Sequence, residues 1–265
     1  MPPHYFGRTL LLSPHFDDAC FSLGGLLSKE EFEDLVILDI FSKSQYGPNI
    51  KLLKPYFKIV NVFNLNFFRR TITDHVSEVR RREDQRFCES ISAVQRTLFF
   101  KDASLRDLVN EYSYDAESIV NEPIFDNVSN AIEKVVISDD YNSVFCPLAI
   151  GNQVDHLIVM KAIKMLRRCR AIHSKVFFYE DLPYASACEL SYINSLALER
   201  IGNSNSIFID ITTELPRKKE LMSIYHSQSM HGCKERISYH AKRLFLLGSN
   251  GIRINGYCER LWGSS

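Results

Sequence analysis

Short, nearly continuous apolar runs alternate along the chain with longer stretches whose apolar residues recur every three to four positions. The runs fall at 9–13, 35–41, 58–63, 144–148, 176–179 and 206–211. Nearly continuous apolarity over four to seven residues suits strands covered on both faces, since a strand with one wet face would alternate. The intervening stretches 23–32, 78–98, 124–137 and 155–169 have helical length. In the last, Ile158, Val159, Ala162, Ile163 and Leu166 make one apolar stripe. A further helix is expected over 215–228, followed by a mixed C-terminal region. Strand–helix alternation predicts an α/β fold with an open, mostly parallel sheet, and such sheets present ligands beyond the carboxyl ends of their strands.

Length and composition narrow the picture. The 265 residues are 45% hydrophobic, enough for a well-packed core. No internal repeat or Gly/Ser linker interrupts them, so one domain over 1–265 is the simplest expectation. With 32 Lys+Arg against 32 Asp+Glu, the chain lacks the basic footprint of a nucleic-acid partner. No run approaches the roughly 18 apolar residues of a membrane helix. The first residues lack the basic and apolar regions of a secretory signal, which makes a cytoplasmic protein the expectation. Seven cysteines without C-x-x-C spacing read as small buried hydrophobes.

Chemistry gathers after two of the expected strands. The first ends in Ser13-Pro14-His15-Phe16-Asp17-Asp18-Ala19-Cys20, with Gly24-Gly25 close behind. The second is followed by Gly151-Asn152-Gln153-Val154-Asp155-His156. Each cluster has a plain reading, with Asp17, Asp18 or Asp155 capping a helix and the histidines as ordinary loop or surface residues. Asp155 also stands where it can orient an imidazole. If the two strands are neighbours, the clusters converge. His15, Asp18 and His156 then form a two-imidazole, one-carboxylate set of the kind that holds catalytic zinc, and Asp17 is left over. Zinc lowers the pKa of water towards about 7, and a neighbouring carboxylate can accept the proton, so the set points to hydrolysis.

These residues resemble the motif pair of the LmbE-like, or PIG-L, family of metal-dependent N-deacetylases. The family's first motif reads approximately H-P-D-D-E with two glycines following, and its second approximately H-x-D-H. Similar stretches continue through Arg80-Arg81-Arg82-Glu83-Asp84, Asp102-Ala103 with Arg106, Tyr179 to Tyr184, Tyr225 to Gln228 and Glu259 to Trp262. The resemblance implies a Rossmann-like three-layer α/β domain. It also implies a divalent metal, zinc or another such as iron, on His15, Asp18 and His156, with Asp17 as general base. The implied substrate is a small molecule or glycoconjugate carrying an N-acetyl amino sugar, and the products are acetate and a free amine.

Three positions depart from the pattern. Phe16 and Ala19 replace Pro and Glu without touching the ligand set. Gln153 stands where the second motif commonly has its first His; its amide can donate a hydrogen bond to an oxyanion but cannot release a proton at neutral pH. Two alternatives therefore stand beside sugar deacetylation: hydrolysis of another acyl bond, such as an ester or activated amide, or a catalytically weakened binding module. For substrate contacts the candidates are Arg81, placed by the family pattern, and Tyr179 and Asp155 beside the strand ends. His75, His173, His226, His231 and His240 read as surface or packing residues, and Tyr257 and Trp262 as anchors of the tail.

Overall fold

The computed structural model describes residues 6–29, 32–45, 65–106, 108, 110–112, 114–202, 205–228, 231–249 and 255–263. Seven strands form one sheet: β1 (Arg8–Ser13), β2 (Asp34–Asp39), β3 (Val94–Thr97), β4 (Ser143–Pro147), β5 (Lys175–Tyr179), β6 (Ser206–Asp210) and β7 (Cys258–Gly263). Their order is β3-β2-β1-β4-β5-β7-β6. The first five are parallel, while β7 runs antiparallel between β5 and β6. Helices α1 (Asp18–Lys29), α2 (Leu65–Ser90), α3 (Phe125–Ser138), α4 (Val154–Arg168), α5 (Leu190–Ile201), α6 (Leu215–Met222) and α7 (Cys233–Gly248) complete a three-layer α/β arrangement. Every residue of β4 is buried, as its unbroken apolar run requires.

From β1 the chain moves outward through β2 to β3, then crosses back to place β4 on the other side of β1. The switch point therefore lies between β1 and β4, and both chemical clusters sit at the carboxyl ends flanking it. No helix among the described residues is long and apolar enough to cross a membrane.

Three elements differ from expectation. The stretch 78–98 is not one helix: α2 ends at Ser90, Ser92 turns through a positive φ of 58°, and Val94–Thr97 pairs with β2. Periodicity could not see this break, because β3 is an edge strand with only a partial apolar signal. The expected helix over 215–228 stops at Met222, since the following residues are held by α2 instead. The Tyr225 hydroxyl donates to Asp84 (2.6 Å), and the Ser227 amide donates to Glu83 (2.8 Å). The C-terminal segment, expected only as a mixed region, contributes a strand, β7, in which Trp262 anchors the tail as expected, its indole N–H donating to Glu180 (3.3 Å). The strand expected at 58–63 lies outside the described residues.

The paired glycines of α1 have a packing role. A Cβ on Gly25 would lie 2.8 Å from Ile211 and 2.9 Å from the Glu259 carboxylate. The bare backbone lets that carboxylate accept the amides of Gly25 (2.9 Å) and Leu26 (2.7 Å) while paired with buried Lys218 (2.7 Å). This contact ties α1, and the motif at its start, to β7 and α6.

Candidate metal centre

At the end of β1, the loop closes on itself before α1 begins: the His15 amide donates to Asp18 Oδ2 (2.8 Å). On the other side, β4 leads into a tight turn in which Ala149, Gly151 and Asn152 all have positive φ. Gly151, at 92°, is also pressed against Tyr184, which would lie 3.1 Å from any added Cβ. Arg200 of α5 is buried beneath this turn, donating to the Leu148 carbonyl (2.7 Å) and to Asn152. The turn sets α4 so that His156 stands in its first helical turn, facing His15.

His15, Asp18 and His156 then each offer one ligand atom, all lying within 4.8 Å of one another. His15 Nδ1 and His156 Nε2 are each 3.3 Å from Asp18 Oδ2. The outer ring nitrogens face buried carboxylates: His15 Nε2 lies 2.9 Å from Asp155 Oδ2, and His156 Nδ1 lies 2.6 Å from Asp181 Oδ1. A carboxylate on the outer nitrogen fixes the tautomer with its proton there and leaves the inner nitrogen as a lone-pair donor. His156 Nε2 is buried without a hydrogen-bond partner, an uncompensated arrangement for a polar atom that a cation would resolve. Two imidazoles and a carboxylate are also a donor set that suits zinc.

Electrostatics follow from the crowding of carboxylates. Burial works to lower both histidine pKa values, but the hydrogen bonds from Asp155 and Asp18 hold His15 well above its ordinary range. Asp18 and Asp181 likewise hold His156 above it. Asp18 shows the reverse balance: burial pushes its pKa up, and the two histidines more than offset this, leaving it lowered. Asp17 is raised by burial even though the Arg80 guanidinium, 3.2 Å away, pulls it down. A carboxyl raised towards neutrality is better matched to accepting a proton.

Asp17 and Asp18 open onto a cleft of about 1060 Å³, mouth included, whose walls also carry Arg80, Asp102, Gln153 and Tyr184. Gln153 is the N-cap of α4: its side-chain oxygen accepts the amides of Asp155 (2.7 Å) and His156 (3.2 Å). That task, one of the two readings of Asp155, fixes the amide orientation and leaves Gln153 Nε2 as a donor, 3.4 Å from Asp155 Oδ2, in the wall of the cleft.

The three residues expected to touch substrate are placed elsewhere. Asp155 is fully buried and orients His15 rather than its neighbour His156; it also accepts from the Ala103 amide (3.0 Å) and Arg106 (2.6 Å). Tyr179 is fully buried, its hydroxyl donating to the Leu12 carbonyl (2.9 Å), and it fastens β5 to β1. Arg81 points outward and pairs with Glu78 (2.8 Å). Arg80 is the arginine that reaches the site, buried between Asp17 and Asp102. Consecutive helical residues face different directions by about 100°, so the sequence could not say which arginine turned inward. Asp181, named in sequence only as part of a strand end, orients His156. His240 is a packing residue, bonded to Glu180 (2.6 Å).

Comparison with known proteins fits this geometry. Residues 10–166 match the profile of the PIG-L family, described as GlcNAc-PI de-N-acetylase. The 2'-N-acetylparomamine deacetylase of Streptomyces fradiae is 32% identical over 244 residues, covering 89% of this chain and 79% of that protein. Two solved structures share the fold. One is the A40926 pseudoaglycone deacetylase, with 20% identity, a TM-score of 0.64 and coverage of 97% of this chain and 96% of that one. The other is the zinc-inhibited form of a teicoplanin deacetylase, with 20% identity, a TM-score of 0.65 and coverage of 97% of both chains.

Proposed function

Because the chain belongs to the PIG-L family, we propose that it is a divalent-metal-dependent N-deacetylase that removes an acetyl group from an amino sugar. The Streptomyces fradiae relative is named for an N-acetylated substrate of this class. The observation that carries the proposal is the pairing of both outer imidazole nitrogens with buried carboxylates, which leaves His15 Nδ1, His156 Nε2 and Asp18 directed at one point beside Asp17.

A metal held by His15, Asp18 and His156 supplies Lewis acidity towards the acyl oxygen and acidifies water. Asp17 takes a proton from the water that attacks the acetyl carbon, and Arg80 holds the Asp17 carboxylate in place. Gln153 Nε2 is the amide donor facing charge that develops on the acyl oxygen. Asp17 then passes its proton to the leaving nitrogen as the C–N bond breaks, giving acetate and a free amine. Gln153 contributes only a hydrogen bond, so Asp17 carries both proton transfers.

The same absence of an acid at Gln153 favours, as a second reading, an acyl bond whose leaving group needs less protonation. The test is acetate release from an N-acetyl amino sugar by metal-loaded wild type and Asp17→Ala. The variant should retain metal and lose release; full activity in it would overturn the mechanism. Faster cleavage of acetyl esters than of the amide by wild type would favour the second reading.

A further inference from the structure

We propose that Glu111 reads a positive charge on the substrate away from the acetylated nitrogen, making the cleft selective for an N-acetyl sugar that also bears an ammonium group. This rests on the deacetylase reading above. The carboxylates of the cleft are Asp17, Asp18, Asp102 and Glu111. Three are engaged: Asp18 with His15 and His156, Asp17 with Arg80, and Asp102 with the Ser104 hydroxyl (2.6 Å) and, at 4.0 Å, Arg80. Among the described residues, no ion pair or hydrogen bond engages the Glu111 carboxylate. Glu111 is therefore the carboxylate of this wall without a cationic partner among the described residues. A half-buried, unpaired carboxylate in a cleft walled by protein attracts a cation more strongly than it would in open water.

The backbone that carries Glu111 is tied to the metal centre. The Glu111 carbonyl accepts the amide of Val154 (2.9 Å), the first residue of the helix that carries His156. The next amide, from Tyr112, donates to the Asn110 side chain (3.0 Å). Tyr112 is 46% exposed, and its ring lies 6.2 Å from that of Tyr184, which in turn stands edge-on to His156 at 5.6 Å. Aromatic rings thus continue from the metal centre to the residue that follows Glu111 in the chain. They offer a sugar's apolar face a path along which a second ring would bring its ammonium to the carboxylate.

The test compares wild type with the near-isosteric Glu111→Gln, both zinc-loaded and matched in thermal stability. One substrate is neutral, N,N'-diacetylchitobiose; the other is 2'-N-acetylparomamine, whose remaining amines are charged. A charge-assisted hydrogen bond corresponds to about tenfold to a hundredfold in binding. The substitution should therefore reduce kcat/KM for the cationic substrate about tenfold or more beyond its effect on the neutral one. The loss should appear in KM rather than kcat, and added salt should narrow the wild-type preference. Equal effects on both substrates would overturn the proposal. Calorimetric titration separates its failure from failure of the deacetylase reading. Paromamine should bind Glu111→Gln about tenfold more weakly than wild type, whether or not either substrate is hydrolysed. Unchanged binding would refute the role of Glu111, whereas wild type that hydrolyses neither substrate would refute the deacetylase.

Discussion

Replacing Asp181 with asparagine tests whether the buried carboxylates set the metal centre. In the native chain Asp181 Oδ1 accepts from His156 Nδ1 (2.6 Å) and Oδ2 accepts the Ile150 amide (2.8 Å), with no side-chain exposure at either Asp181 or His156. An asparagine of the same shape cannot serve both partners. With its oxygen towards His156, its NH2 confronts the Ile150 N–H, and a buried donor left unsatisfied costs about 1–3 kcal/mol. With its NH2 towards His156, Nδ1 must become the acceptor, which moves the ring proton to Nε2 and blocks the position a metal would take. Either way metal affinity should fall, by the roughly tenfold to hundredfold typical of losing an orienting partner. The unmetallated variant should also unfold at lower urea. Competition with a chromophoric zinc chelator reads the first effect, and a urea titration reads the second. A folded Asp181→Asn with native zinc affinity would refute the argument that Asp181 sets the tautomer of His156.

Other predictions follow from different parts of the fold. Glu180 is buried, which raises its pKa, but His240 and Arg260 more than reverse this and leave it below the usual range. Its stabilisation is therefore complete above the unfolded value of about 4.3 and is lost as pH falls through the lower folded value. Glu180→Gln, which leaves Arg260 without its partner, should cost about 3–5 kcal/mol at neutral pH. The gap from wild type should shrink at pH 3 in urea unfolding; a constant gap would contradict this. Gly25→Ala should destabilise by about 1–3 kcal/mol because its Cβ meets Ile211 and Glu259. Gly24→Ala, whose Cβ would lie 3.2 Å from the Lys218 stem and 3.8 Å from Cys20, should cost less in the same thermal melt. Arg81→Ala should change stability by no more than about 0.5 kcal/mol and leave turnover near native. Arg80→Ala should reduce kcat by tenfold or more, since a misplaced reacting group costs up to about a hundredfold. Similar kcat values for the two variants would reverse their assignment.

Legibility in the sequence tracked the strength of the local signal. The convergence of His15, Asp18 and His156 could be anticipated on one condition, that the two apolar runs followed by clustered polar residues are neighbouring parallel strands, and the pairing of β1 with β4 meets it. Strand β3 could not be separated from α2, because four half-exposed residues carry little periodicity and the break depends on the left-handed turn at Ser92. Strand β7 was hidden for a different reason: it enters the sheet antiparallel and from far along the chain, so only tertiary pairing reveals it. Among the site residues, Asp155 was visible but its partner was not. A carboxylate beside His156 in sequence turned out to serve His15, across 140 positions. The roles of Arg80, Asp102 and Glu111 depend on which way each faces once the elements pack, and no spacing rule contains that information.

The account stands on His15, Asp18 and His156 holding one divalent ion. The most direct test is the metal content of the purified protein and of Asp18→Ala, read by elemental mass spectrometry before and after exposure to zinc. The account predicts close to one ion per chain in the wild type and almost none in the variant. A wild type that stays metal-free after reconstitution, or an Asp18→Ala protein that binds as much as wild type, would contradict it.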